Sequence, residues 1–88
     1  MTTSYVAVDL ETTGIGAKRE KITEIGMVKV VDGAVVETYH TMVNPHREIP
    51  ERIVELTGIT DDMVQDAPDI EAVLPQVIAF CEGFPLLG

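Results

Sequence analysis

Hydrophobic residues recur along this chain with two different periods, and the rhythm changes near Asn44. Before that point it belongs to strands. Tyr5 to Leu10 is a short apolar, partly β-branched run that predicts strand one. Ile22 to Val31 and Ala34 to Val43 are longer and rich in Val, Ile, Thr and Tyr. Asp32-Gly33 stands between them, a dipeptide that tolerates the two positive φ angles of a tight hairpin. The second and third strands are therefore expected to pair antiparallel. "TTGIGAKREK" reads as the loop that leads into them.

After Asn44 the rhythm becomes helical. "NPHREIP" is a loop, and Pro50 opens a short helix at its first position, running to about Leu56 and stopped by Gly58. Thr60 caps "DDMV", whose aspartates suit a helix N-terminus. Ile70, Val73, Leu74, Val77, Ile78 and Cys81 form one apolar stripe at helical spacing. That stripe predicts a helix over 69–81, covering one face of a sheet through Val73, Val77 and Ile78. Asp66 or Asp69 is its cap, and Pro75 should kink it or delay its start. "GFPLLG" looks like the approach to another strand, since a crossover helix normally returns the chain to its sheet. The expected class is α/β, and residues 1–88 read as the N-terminal portion of a larger domain.

Composition changes this picture in two ways. The chain has 88 residues, 45 % hydrophobic and 24 % charged, with no repeat, as befits one globular domain or part of one. Its 15 acidic residues against 6 basic give a formal net charge of −9. Such a balance argues against broad phosphate binding through a Lys/Arg surface, yet permits a nucleic-acid enzyme whose cations meet the phosphate. Cys81 is the only cysteine, which excludes an intrachain disulfide and fits a reducing compartment. "MTTS" lacks the basic start and apolar core of a signal peptide, and no apolar run approaches the ~18 residues of a membrane span. A cytoplasmic location is expected.

Candidate chemistry concentrates in "VAVDLETTG", Val6 to Gly14. Asp9 and Glu11 lie two residues apart on a strand, hence on one side, with Cα atoms roughly 6.5–7 Å apart. Two negative charges at that distance repel by about 2.5 kcal/mol at an effective dielectric near 20. A divalent cation between them reverses the sign, and hard oxygen ligands favour magnesium or manganese over zinc. Residue physics alone leaves two readings open: solvated acids at a strand end, or a cation site.

"VAVDLETTG", then "ITEIG", then "NP…IP…LTGIT" resembles the first exonuclease motif and its surroundings in the DEDD superfamily. These are 3′–5′ exonucleases on a ribonuclease H-like fold, and the resemblance covers nearly the whole chain. It is closest to the proofreading domain of bacterial DNA polymerase III, in its epsilon-subunit or PolC-type form. The resemblance implies a mixed sheet whose antiparallel N-terminal strands lie in spatial order 3-2-1, with strand one at an unfinished edge and helices packed on it. It implies removal of nucleotides from DNA 3′ ends by hydrolysis with two Mg2+ or Mn2+ ions, in replication or repair. The partners it implies are a single-stranded DNA 3′ end and a replicative polymerase. Asp9 and Glu11 match two of four acidic metal ligands. Thr12 matches a residue beside the terminal 3′-hydroxyl, with Thr13 and Gly14 on the same substrate-side turn. Thr57 falls where many relatives carry a histidine before Gly-Ile, which tilts the resemblance towards the PolC-like branch. The family's other two aspartates and its general-base histidine belong to later motifs, so the 88 residues alone are expected to be inactive.

Other candidates carry less. Lys18, Arg19 and Lys21 hold half of the basic residues and read as a solvated loop before they read as a strand contact. Glu24 reads as an exposed acid opposite Ile25 on its strand. His40 and His46 have no second His or Cys at ligand spacing. Cys81 completes an apolar stripe and reads as an inert thiol. Two alternatives remain: a haloacid-dehalogenase-type phosphatase with Asp9 as nucleophile, and a non-catalytic acidic interaction module.

Overall fold

The computed structural model describes residues 3–14 and 21–88. Three long strands, β1 (Tyr5–Thr12), β2 (Ile22–Val31) and β3 (Ala34–Met42), precede three helices. The helices are α1 (Glu51–Thr57), α2 (Asp61–Val64) and α3 (Ile70–Cys81), and a two-residue strand, β4 (Leu86–Leu87), follows them. The sheet order is β3-β2-β1-β4. β1, β2 and β3 are antiparallel neighbours, and β4 runs parallel to β1.

The β2–β3 hairpin forms where Asp32-Gly33 places it, with φ of 52° and 81° at the two turn residues. The amino-terminal segment braces this turn. Gly33 donates its N–H to the Thr3 carbonyl at 3.0 Å, and Asp32 donates to Ser4 Oγ at 3.0 Å. β1 continues two residues past its apolar run, because Glu11 and Thr12 still pair with Glu24 and Ile22. Backbone pairing with β2, not side-chain hydrophobicity, sets its end.

Strand one does not lie at an unfinished edge. Val6 and Ala7 pair with Leu86 and Leu87, and Val6 donates its N–H to the Pro85 carbonyl at 2.9 Å. The crossover helix does return the chain to the sheet, but through a strand too short for any alternation to announce it.

One core lies between the sheet and α3. Val6, Ile25 and Met27 meet Val73 and Phe80 there, with Val43 beside them and Val8, Tyr39, Val77 and Cys81 around the margin. The stripe of α3 is rolled relative to expectation. Val73 and Val77 face the sheet, whereas Ile78 is 66 % and Leu74 44 % exposed. At roughly 100° per residue, Phe80 and Ile78 flank the Ile70–Val73–Val77 line on opposite sides, so one helix cannot bury both. The phenyl ring wins because the sheet offers it partners. Lys29 Nζ lies 4.4 Å from the Phe80 centroid and 5.0 Å from that of Phe84, and the Tyr39 ring is 5.9 Å from Phe80. Pro75 does not delay the helix, which starts at Ile70 after the N-cap Asp69 and runs through it.

A second core joins α1 and α2. Ile49, Ile53, Ile59 and Val64 pack together with Met42 and Val54. Pro50 is the N-cap of α1 and not its first residue, and Gly58 closes the helix in the left-handed region at φ 78°. Thr60 is the N-cap of α2, as the sequence predicts.

Phe80→Ala should cost about 3–5 kcal/mol of stability, while Ile78→Ala should change it by no more than about 0.5 kcal/mol. Urea unfolding followed by circular dichroism compares the two. Equal losses would mean that α3 presents Ile78 to the sheet after all.

Candidate active site

The pairing register assigns each residue of β1 to a face. Val6 and Val8 belong to the α3-covered side, with Met27, Ile25 and Tyr39. Asp9 is paired with Gly26, and Gly26 with His40. Glu11 is paired with Glu24, and Glu24 with Met42. Directly opposed residues share a face, so Asp9, Glu11, Glu24 and His40 all lie on the side away from α3. Asp9 is exposed and Glu11 half-buried. A shallow hollow of about 340 Å³ on the sheet includes Ala7, Asp9, Gly26 and Thr38 in its lining.

The chain turns sharply after the pair. The β1–β2 register shifts between Glu11 and Thr12, which is paired with Ile22, so Thr23 is the extra residue of a bulge. Bulges end pairing and re-aim side chains, and this one lies next to the second carboxylate. Thr12 donates its hydroxyl to the Gly14 carbonyl at 2.5 Å. Thr13 is fully buried. Its N–H donates to the Lys21 carbonyl at 2.9 Å, and its Oγ1 accepts the Lys21 N–H at 3.1 Å. Thr13 therefore ties the two ends of the intervening loop together. Lys18 and Arg19 lie outside the described residues.

The remaining candidates are placed as follows. Thr57 closes the last turn of α1, where its hydroxyl donates to the Ile53 carbonyl at 2.9 Å and accepts the Ile59 N–H at 3.1 Å. Glu24 is more than a solitary exposed acid: its Oε2 contacts His40 Nε2. His46 Nε2 lies 2.5 Å from Asp69 Oδ1, at the start of α3. Cys81 is partly buried with Sγ 3.6 Å from Met27 Sδ. A groove of about 370 Å³ opens beside Lys21, Asn44, His46, Ile70 and Glu71, and neither Asp9 nor Glu11 lines it. Among the described residues no three His, Cys, Asp or Glu side chains stand together as a metal ligand set. Two carboxylates on one side still suit a hard cation that keeps its waters and takes further oxygens from a substrate.

The family model described as Exonuclease (RNase_T) matches residues 6–87. The chain belongs to this exonuclease family. Exonucleases of this kind generally use divalent metal ions. The PolC-type DNA polymerase III of Thermotoga petrophila is 46 % identical over 80 residues, which is 91 % of the chain and 6 % of that polymerase. The PolC-type polymerase of Clostridium perfringens is 49 % identical over 76 residues, 86 % of the chain and 5 % of its own length. The chain thus spans about one twentieth of the length of these two polymerases. Among solved structures, exonuclease X in complex with 5′ overhanging duplex DNA aligns with a TM-score of 0.75 at 36 % identity. That alignment covers 83 % of this chain and 42 % of the other. A full-length 3′-exonuclease shares the fold, with a TM-score of 0.78 at 24 % identity over 90 % of this chain and 29 % of the other. The sheet and helices of this exonuclease chain are accordingly ribonuclease H-like. The phosphatase alternative falls, because the residues after the motif form an antiparallel hairpin inside a matched exonuclease domain. Among the described residues no helix is long and apolar enough to cross a membrane.

Thr13→Val keeps the shape of the side chain but leaves the Lys21 N–H without its hydroxyl acceptor, a loss of about 1–3 kcal/mol. Amide hydrogen exchange should speed up at Lys21 in this variant and return towards its original rate in Thr13→Ser. Unchanged exchange at Lys21 would show that the hydroxyl does not hold the loop.

Proposed function

We propose that the protein containing this chain removes nucleotides from the 3′ end of DNA, with Asp9 and Glu11 as two of its metal ligands. The observation that carries this reading is their joint position on the sheet face away from α3, beside the bulge that ends β1. Membership of the exonuclease family and the PolC-type relatives support it. Residues 1–88 would form the N-terminal portion of one exonuclease domain. A single-stranded DNA 3′ end, a replicative polymerase and a cytoplasmic setting complete the proposal.

Asp9 and Glu11 present acceptor-only carboxylates that bind through oxygen. Mg2+ or Mn2+, two ions in the complete domain, would supply positive charge to the scissile phosphate and acidify a bound water. Asp9 and Glu11 would hold that charge at the strand end, which would let a chain of net charge −9 accept a polyanion without a basic surface. The Thr12–Gly14 turn shapes the rim on which the terminal nucleotide rests. Thr13 acts from beneath, by keeping that turn closed onto Lys21. A substrate contact at Thr57 rests on the resemblance alone, since its hydroxyl is committed to the end of α1.

Two carboxylates make a poor magnesium site without further ligands. The 88 residues alone should leave a 3′-labelled single strand intact, whereas a polypeptide extended through the later motifs of its relatives should digest it with Mg2+ or Mn2+. In the extended protein Asp9→Ala should lower kcat by about 10⁴–10⁶, as for groups that act as a unit. Digestion by Asp9→Ala at the parental rate would overturn the assignment.

A further inference from the structure

The β1–β2 register sets Glu24 directly across from Glu11, two acids on one face. Directly opposed residues of an antiparallel pair have Cβ atoms about 4.5–5.5 Å apart, and like charges there are unfavourable. Nothing in the hairpin turn demands an acid at this position. One strand further on, His40 is paired with Gly26, and its ring reaches diagonally to Glu24. Gly26 has no side chain to stand between Asp9 and His40. An added Cβ there would approach the Asp9 carbonyl only to 3.9 Å, so packing does not enforce the glycine. Side-chain exposures of 61 % for His40 and 31 % for Glu24 make the pair a surface contact of little worth to stability. Its position beside Glu11 is what distinguishes it.

We propose that Glu24 is a positioning residue for the carboxylate pair and that His40 controls it. This rests on Asp9 and Glu11 holding a divalent cation, and it adds a role for two residues outside the motif. Glu24 contributes negative potential across the strand pair, which strengthens attraction for the cation. His40 donates to Glu24 and keeps its carboxylate turned towards β3. Glu11 is thereby left as the acid of that row that faces the cation, with coordination positions open for substrate oxygens. Without His40 the Glu24 carboxylate is free to turn to the cation as well, which tightens cation binding and consumes a position that substrate should occupy.

The experiment is titration of the polypeptide extended through the later motifs of its relatives with Mn2+ alone, followed by electron paramagnetic resonance, with circular dichroism of each variant as a check on folding. Glu24→Gln should weaken Mn2+ binding by about three- to tenfold, the effect of removing one charge several ångströms away in a high-dielectric setting. His40→Ala should instead tighten it by a similar factor. General loss of structure cannot produce shifts of opposite sign. Glu11→Gln should abolish most of the binding. If Glu11→Gln does so while Glu24→Gln and His40→Ala bind as the parent does, the cation site stands and the positioning role is overturned. Weakening by both substitutions, or no binding by the parent chain, would also overturn it. No effect of Glu11→Gln would remove the cation site itself.

Discussion

The fold rests on one constraint, the two-residue alternation of β1. Val6 and Val8 must enter the α3-covered core, and Asp9 and Glu11 must stay out of it. A slip of one residue against β2 would exchange the two sets and bury both charges. Two devices oppose such a slip. β4 holds Val6 and Ala7 from one side, and the bulge at Thr23 with the Thr13–Lys21 contacts closes the other end of the β1–β2 pair. The carboxylates are therefore fixed by the packing of apolar residues that never touch a substrate.

Much of this was legible in the sequence wherever the signal is local. Asp32-Gly33 specifies its turn through backbone angles that few other pairs adopt, and Gly58 stops α1 for the same reason. The period of α3 was equally plain, but its rotation was not. Choosing between Phe80 and Ile78 requires knowing that Lys29 and Tyr39 wait on the sheet, and those residues lie some forty to fifty positions earlier. Burial decides the rotation and periodicity only narrows it.

The carboxylate pair was legible because its spacing is carried by one strand. Its surroundings were not. The opposition of Glu24 to Glu11 depends on β1–β2 register, which a loop with no tight-turn signature leaves undetermined. The same holds for Thr13, which reads as one more polar residue after the motif and is in fact buried, with its hydroxyl committed to Lys21. Thr57 shows the converse: a position singled out by resemblance spends its hydroxyl on the end of its own helix.

The braced hairpin turn and the parallel β4 strand set residues 3–4 and Gly88 at different places along β1. Thr3 and Ser4 lie against the β2–β3 turn, at the opposite end of the sheet from Glu11. Gly88 follows β4 in the direction of β1, and a Cβ placed on it would stand 3.7 Å from the Val8 carbonyl. A tether or fluorophore joined through the amino end therefore leaves the acidic end clear. The same attachment at Gly88 would be steered along β1 towards Asp9, bringing a reporter group alongside the carboxylates.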